Sequence, residues 1–174
     1  MDSDITLNIS RIEKKTTKPD DEIKSPNHSE TAMSYFKDGY NCSQSVLLAF
    51  HEECGLDFET AVRISSSFGG GMGRLREVCG AVTGMFMVAG MLFGYSDPNN
   101  HEDKKEHYSR IQYLAGEFEI QNKSIICREL LGIEKGKDSP IPEQRTNEYY
   151  RKRPCAELVG IAAGIMEKYM ENNR

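Results

Sequence analysis

The chain has no tryptophan, only four histidines, and only a modest hydrophobic share of 38% across its 174 residues. No apolar run is long enough to cross a bilayer, and Met1 to Ser29 shows no basic-then-apolar leader. Insertion into a membrane is therefore not expected, and the chain reads as cytoplasmic. A net charge of −5 argues against a general nucleic-acid role. No strong alternation of apolar and polar residues marks a strand. The histidines offer little: His101 and His107 are six apart and face different sides of a helix, a poor chelating pair. His51 reads as a satisfied or exposed side chain.

What the chain does have is five scattered cysteines. An odd number at wide spacing argues against a disulfide framework, and in a reducing compartment such cysteines are metal-binding, catalytic or inert. Four of the five, Cys42, Cys79, Cys127 and Cys155, each open a stretch with helical periodicity and sit on its apolar stripe. Cys155, for example, is followed by Leu158, Ala162, Ile165 and Tyr169. Asn41 and Ser124 suit the N-caps before Cys42 and Cys127, and Pro154 suits the first helical position ahead of Cys155. A thiol in the first turn meets free backbone N–H groups and the positive end of the helix dipole, so all four are expected to favour thiolate. Cys54 comes at a helix end, just before Gly55, and is excluded from the site.

Residues 1–29 are polar, carry Pro19 and Pro26, and read as a flexible tail; Leu7, Ile9 and Ile12 give only a weak strand signal. Residues 30–174 read as one all-α domain, a bundle of about six to eight helices. Expected helices cover 31–37, 42–53, 58–67, 78–93, 100–121, 124–131, 143–150 and 154–170, with 136–142 a loop. Short loops make successive helices alternate in direction, and the cysteine helices are every second one. All four sulfurs should then gather at one end of the bundle.

Arg74, Arg76, Arg128, Arg151, Lys152 and Arg153 flank three of the cysteines, where they would lower thiol pKa or balance an anionic cluster or substrate. The run Phe68-Gly69-Gly70-Gly71-Met72-Gly73-Arg74 has the glycine content of a phosphate loop but lacks the Gly-Lys-Ser/Thr ending and a preceding strand. Its glycines, Gly70 and Gly71, and Gly80 after Cys79, would instead let backbone approach the sulfurs and offer N–H groups. Asn41 and Gln44 are candidates for hydrogen bonds to sulfur or to a bound group. Glu129 and Glu157 read as first-turn carboxylates, and Met72, Met85, Met87 and Met91 as core filler.

The segment Cys79-Gly80-Ala81-Val82-Thr83-Gly84 contains Cys-Gly-Ala-x-x-Gly. With Asn41-Cys42-Ser43-Gln44, the glycine run, Cys127-Arg128-Glu129-Leu130-Leu131-Gly132 and Cys155-Ala156-Glu157-Leu158-Val159, the chain resembles the C_GCAxxG_C_C family of redox-active proteins. The resemblance runs from about Ala32 to Tyr169, implies redox activity, fills all four family cysteine positions and skips Cys54.

Three functions remain open. Cys42, Cys79, Cys127 and Cys155 could hold an iron–sulfur cluster, or another metal ion such as zinc, for electron transfer. A pair such as Cys79 and Cys155 could instead cycle between dithiol and disulfide without metal. Or the cysteines are inert core residues of a structural protein. Either redox reading requires a redox partner that the sequence does not identify, and homo-oligomerisation stays open.

Overall fold

The computed structural model describes residues 27–134 and 138–173. Of the nine α-helical segments among the described residues, Gly69–Met72 is interrupted by left-handed φ values at Gly70 and Gly71 and is a glycine turn. The other eight are α1 (His28–Lys37), α2 (Cys42–Ala49), α3 (Phe58–Ser65), α4 (Gly80–Phe93), α5 (His101–Asn122), α6 (Cys127–Leu130), α7 (Asn147–Lys152) and α8 (Cys155–Asn172). No strand is present among the described residues, only a single antiparallel bridge between Val78 and Ile126. The fold is all-α, and no described helix is long and apolar enough to cross a membrane.

Most helix starts follow the expected chemistry. Asn41, Asp57 and Asn100 accept hydrogen bonds from the N3 amides of α2, α3 and α5. At Asn41 the cap is reciprocal: Gln44 accepts from the Asn41 amide at 3.0 Å. Two boundaries move for identifiable reasons. The helix of Cys127 begins at Cys127 itself, because the Ser124 hydroxyl accepts from the Ile126 amide two residues on and donates to Glu129, forming a turn before the helix. Cys79 is the N-cap of α4, held outside the helix by its amide bond to the Ile125 carbonyl at 2.8 Å.

The start of α1 is also earlier than the tail boundary at 29. Asn27 caps the helix, and His28 is buried between Glu53 at 2.8 Å and Glu167 at 2.7 Å, stacked on Phe50. These contacts fasten residues 27–29 to the bundle. The rest of the expected tail, with Leu7, Ile9 and Ile12, lies outside the described residues, as do residues 136 and 137 of the expected loop.

α8 is the central element, packing against α1, α2, α4 and α5, while α2 lies between α1, α3 and α4. Phe36, Phe50, Phe118, Leu47, Leu114, Met85 and Met166 fill the interior with essentially no exposure. Burying each such side chain contributes about 1.5–3 kcal/mol. Met85 is core as expected, whereas Met72 and Met91 lie at the surface. Where α2 crosses α4 the backbones touch: a Cβ at Gly84 would stand 2.8 Å from the Ser43 carbonyl oxygen. This crossing sets the start of α2 against the start of α4, and so Cys42 against Gly80.

Candidate functional site

Cys42, Cys79, Cys127 and Cys155 line one cavity of about 270 Å3. Each comes from the start of a different helix, as alternation of helix direction requires: Cys42, Cys127 and Cys155 are first residues, and Cys79 is a cap. All are buried, at 9%, 4%, 6% and 8% exposure respectively, and all five cysteines of the chain are free thiols. Cys54 lies in the turn after α2, away from the cavity, and burial pushes its thiol up to about 11.

Two backbone devices assemble the wall. The bridge between Val78 and Ile126 zips the Cys79 and Cys127 segments together, with the Cys127 amide donating to the Glu77 carbonyl at 2.6 Å. The glycine turn then passes beneath. A Cβ on Gly71 would lie 2.6 Å from the Cβ of Cys127, and one on Gly80 2.9 Å from the Cβ of Cys42. A side chain at either position would force these neighbours to shift. Gly70, Gly71 and Gly80 all line the cavity, as does Asn41. Gln44 does not. Its side chain accepts from the Asn41 amide and donates to the Val62 carbonyl, while the Asn41 side chain caps α2 and donates to the Ser66 carbonyl. Both amides are engaged in fastening the cap, and neither bonds to sulfur.

The expectation of four thiolates is corrected for three of the cysteines. Cys42 lies well above the ordinary thiol value, because its thiol donates to the Cys155 sulfur and because it is buried. Burial pushes Cys79 up to about 12, against partial relief from the Ala81 and Val82 amides. Cys127 is also raised, burial outweighing the hydrogen bond and charge of Arg76. A helix terminus stabilises a partly buried anion by at most about 2 kcal/mol, too little to offset removal from water. Only Cys155 is lowered: it accepts the hydrogen bond from Cys42, and the charges of Arg153, Arg145 and Arg76 overcome its burial.

The cations sort accordingly. Arg74, Arg76 and Arg153 line the cavity, whereas Arg128 pairs outward with Glu77 at 2.9 Å and Lys152 with Glu148 at 2.6 Å, and Arg151 is exposed. The Arg76 guanidinium donates to the Cys127 sulfur at 3.8 Å and to Asp138 at 2.7 Å. The segment before Cys155 supplies residues that sequence reasoning missed: Arg145 and Tyr149, four apart across the start of α7, and Glu143 in the preceding loop. Burial, with Cys155 and Cys42 beside it, raises the Tyr149 hydroxyl to about 12, so it stays a protonated donor. The i, i+4 spacing of Arg145 and Tyr149 ahead of Cys155 was the available signal. Glu129 bonds Ser124, and Glu157 lies away from the cavity.

Four thiols around one cavity match an iron–sulfur or zinc site in chemistry, but not in spacing. Among the described residues no three His, Cys, Asp or Glu side chains form a group able to hold one ion. What the site does contain is four buried thiols lining one cavity, with Cys155 drawn toward thiolate and Cys42 held toward thiol.

Comparison with known proteins gives no match to a curated protein or to a solved structure. A family model does match, over residues 40–169, and its span takes in all four cavity cysteines. The chain therefore belongs to the C_GCAxxG_C_C family, described as "Putative redox-active protein".

Proposed function

We propose that the protein is a metal-free thiol–disulfide redox protein in which Cys155 is the nucleophile and Cys42 the resolving thiol. One observation carries this reading: Cys42 and Cys155 line the same cavity, both buried, and each acts on the other's thiol so that Cys155 is shifted toward thiolate and Cys42 toward thiol. Cys79 with Cys155 is one example of such a pair; Cys42 with Cys155 is preferred because these two shift each other's thiols in opposite directions.

The electron count closes. The Cys155 thiolate attacks one sulfur of a disulfide, that S–S bond breaks, and the first leaving thiolate takes up a proton. Cys42 then loses its proton and attacks the Cys155 sulfur, releasing the second thiolate and forming a Cys42–Cys155 disulfide. The substrate gains two electrons and the protein loses two. A dithiol donor, the unidentified redox partner, returns the pair to its reduced form. A cytoplasmic location, where thiols are kept reduced, suits this cycle.

The test is the pH profile of iodoacetamide alkylation, read cysteine by cysteine by mass spectrometry. Cys155 should react first, with a midpoint below the ordinary thiol value of 9.0, while Cys79 stays protected. A Cys155 midpoint at or above 9.0 overturns the proposal.

The sharing of one cavity by four cysteines favours a second reading: an iron–sulfur cluster, or another thiolate-bound ion such as zinc, on Cys42, Cys79, Cys127 and Cys155. Such a group would supply reversible electron storage or, for zinc, a structural clamp. It requires the sulfurs to close in from their present spacing. Anaerobic purification with metal and acid-labile sulfide analysis separates the two: stoichiometric iron and sulfide support the second and displace the first.

A further inference from the structure

We infer that the cavity takes a small disulfide bearing carboxylate groups. The inference rests on the thiol–disulfide reading and names the substrate class of that same site.

The first observation is charge. Arg74, Arg76, Arg145 and Arg153 line the cavity. Two carboxylates answer them: Asp138 holds Arg74 at 2.6 Å and Arg76 at 2.7 Å, and Glu143 pairs with Arg153 and, at 3.5 Å, with Arg74. Arg145 has no carboxylate partner among the described residues. Its guanidinium donates to the Phe36 carbonyl at 2.6 Å and lies over the Phe36 ring at 4.3 Å. The Cys155 thiolate offsets one of the two unmatched positive charges. One remains, inside a partly desolvated space where an opposite charge is bound more strongly than in water.

A second, independent observation is an unmet donor. The Arg76 side chain is 3% exposed, and its Nε is buried with no hydrogen-bond partner. Buried donors are nearly always satisfied, and an exception at a cavity wall calls for an acceptor not supplied by the protein. Beside it the glycine turn, with positive φ at Gly70, Gly71, Met72, Gly73 and Arg74, brings Gly70, Gly71 and Gly73 onto the cavity wall. The wall thus combines guanidinium groups with an unmet buried donor, the chemistry that receives a carboxylate.

Size and reaction narrow the class. About 270 Å3 falls just below the range of about 300–1,000 Å3 typical of drug-sized ligands, so the ligand is small. Cys155 on the same wall requires an electrophilic sulfur within reach of the bound anion. A short disulfide with a carboxylate on each arm meets both conditions: one carboxylate sits among the arginines while the S–S bond faces Cys155. Each turnover yields two molecules of the thiol carboxylate and one Cys42–Cys155 disulfide.

The experiment uses the reduced full-length chain and three disulfides that differ mainly in charge: dithiodiglycolate (anionic), 2-hydroxyethyl disulfide (neutral) and cystamine (cationic). The rate of Cys42–Cys155 oxidation by each is divided by the rate at which the same disulfide reacts with 2-mercaptoethanol, which removes intrinsic reactivity. The anionic disulfide should exceed the neutral one by about tenfold or more at low salt, with cystamine slowest. Raising ionic strength to about 1 M, where the screening length falls to about 3 Å, should collapse most of the difference. Arg145→Gln should lower the anionic-to-neutral ratio, and Arg145→Lys should keep most of it. Equal normalised rates, or cystamine fastest, overturn the substrate class while leaving the redox pair standing. If none of the three oxidises the pair, the thiol–disulfide reading falls and this inference with it. The salt series on the unmodified chain decides the question even if the Arg145 variants fail to fold.

Discussion

Replacing Gly71 with alanine should cost about 2–5 kcal/mol of stability, by two separable routes. The backbone there has φ of 70°, a left-handed conformation that costs a residue with a Cβ roughly 1–2 kcal/mol. The new Cβ would also stand 2.6 Å from the Cys127 Cβ, 2.9 Å from the Arg76 Cα and 3.0 Å from the Arg76 carbonyl carbon. Two of those three atoms are Arg76 main chain and cannot swing aside, so relief requires moving the Arg76 backbone as well as Cys127, at roughly another 1–3 kcal/mol for overpacking. Gly132→Ala isolates the first route, since Gly132 has φ of 64° and nothing within 4 Å of an added Cβ. Urea denaturation of both variants gives the comparison: Gly132→Ala should lose about 1–2 kcal/mol and Gly71→Ala clearly more. Gly71→Ala alone should speed alkylation of Cys127 as that residue is pushed off the wall. Equal losses for the two variants, with Cys127 unchanged, would refute the claim that the turn is packed against the cysteines.

Other outcomes follow from the same contacts. Because burial raises Cys79 from 9.0 to about 12, the folded protein keeps a proton that the unfolded chain releases. Its contribution is full below pH 9 and is lost between about 9 and 12, on the order of 4 kcal/mol in the limit. Urea midpoints measured from pH 8 to 11 should therefore fall less steeply for Cys79→Ala than for the unmodified chain, and parallel slopes would contradict the shift. Asn41→Ala removes the α2 cap and the bond to the Ser66 carbonyl and should cost about 1–2 kcal/mol in denaturant melts; a loss under about 0.5 kcal/mol would mean the cap is dispensable. Gly90→Ala, within α4 and with open space around an added Cβ, should stabilise the protein by about 0.5–1 kcal/mol.

The cavity was legible in the sequence as far as local rules reach. Asn41, Asp57 and Asn100 announce their helices, the apolar stripes point inward, and alternation of helix direction places Cys42, Cys79, Cys127 and Cys155 at one end. The behaviour of the thiols was not legible, because burial is a property of the packed core. A first-turn position alone predicts four anions, yet desolvation reverses the sign at Cys79 and Cys127. Nor could spacing reveal which two thiols act on each other. The pairing of Cys42 with Cys155 depends on how α2 and α8 cross, and the juxtaposition of Cys79 with Cys127 on a bridge between segments far apart in the chain. Glu143, Arg145 and Tyr149 fall in the expected helix over 143–150, where no local rule assigns them to the site; they join the wall because this segment reaches Arg74 and Phe36.

Disulfide mapping tests the central claim most directly. The reduced full-length chain is oxidised with one equivalent of 2-hydroxyethyl disulfide, its remaining thiols are alkylated under denaturing conditions, and the digest is read by mass spectrometry. The account predicts a Cys42–Cys155 disulfide with Cys54, Cys79 and Cys127 alkylated. A bond between any other pair, or five alkylated cysteines, would contradict it.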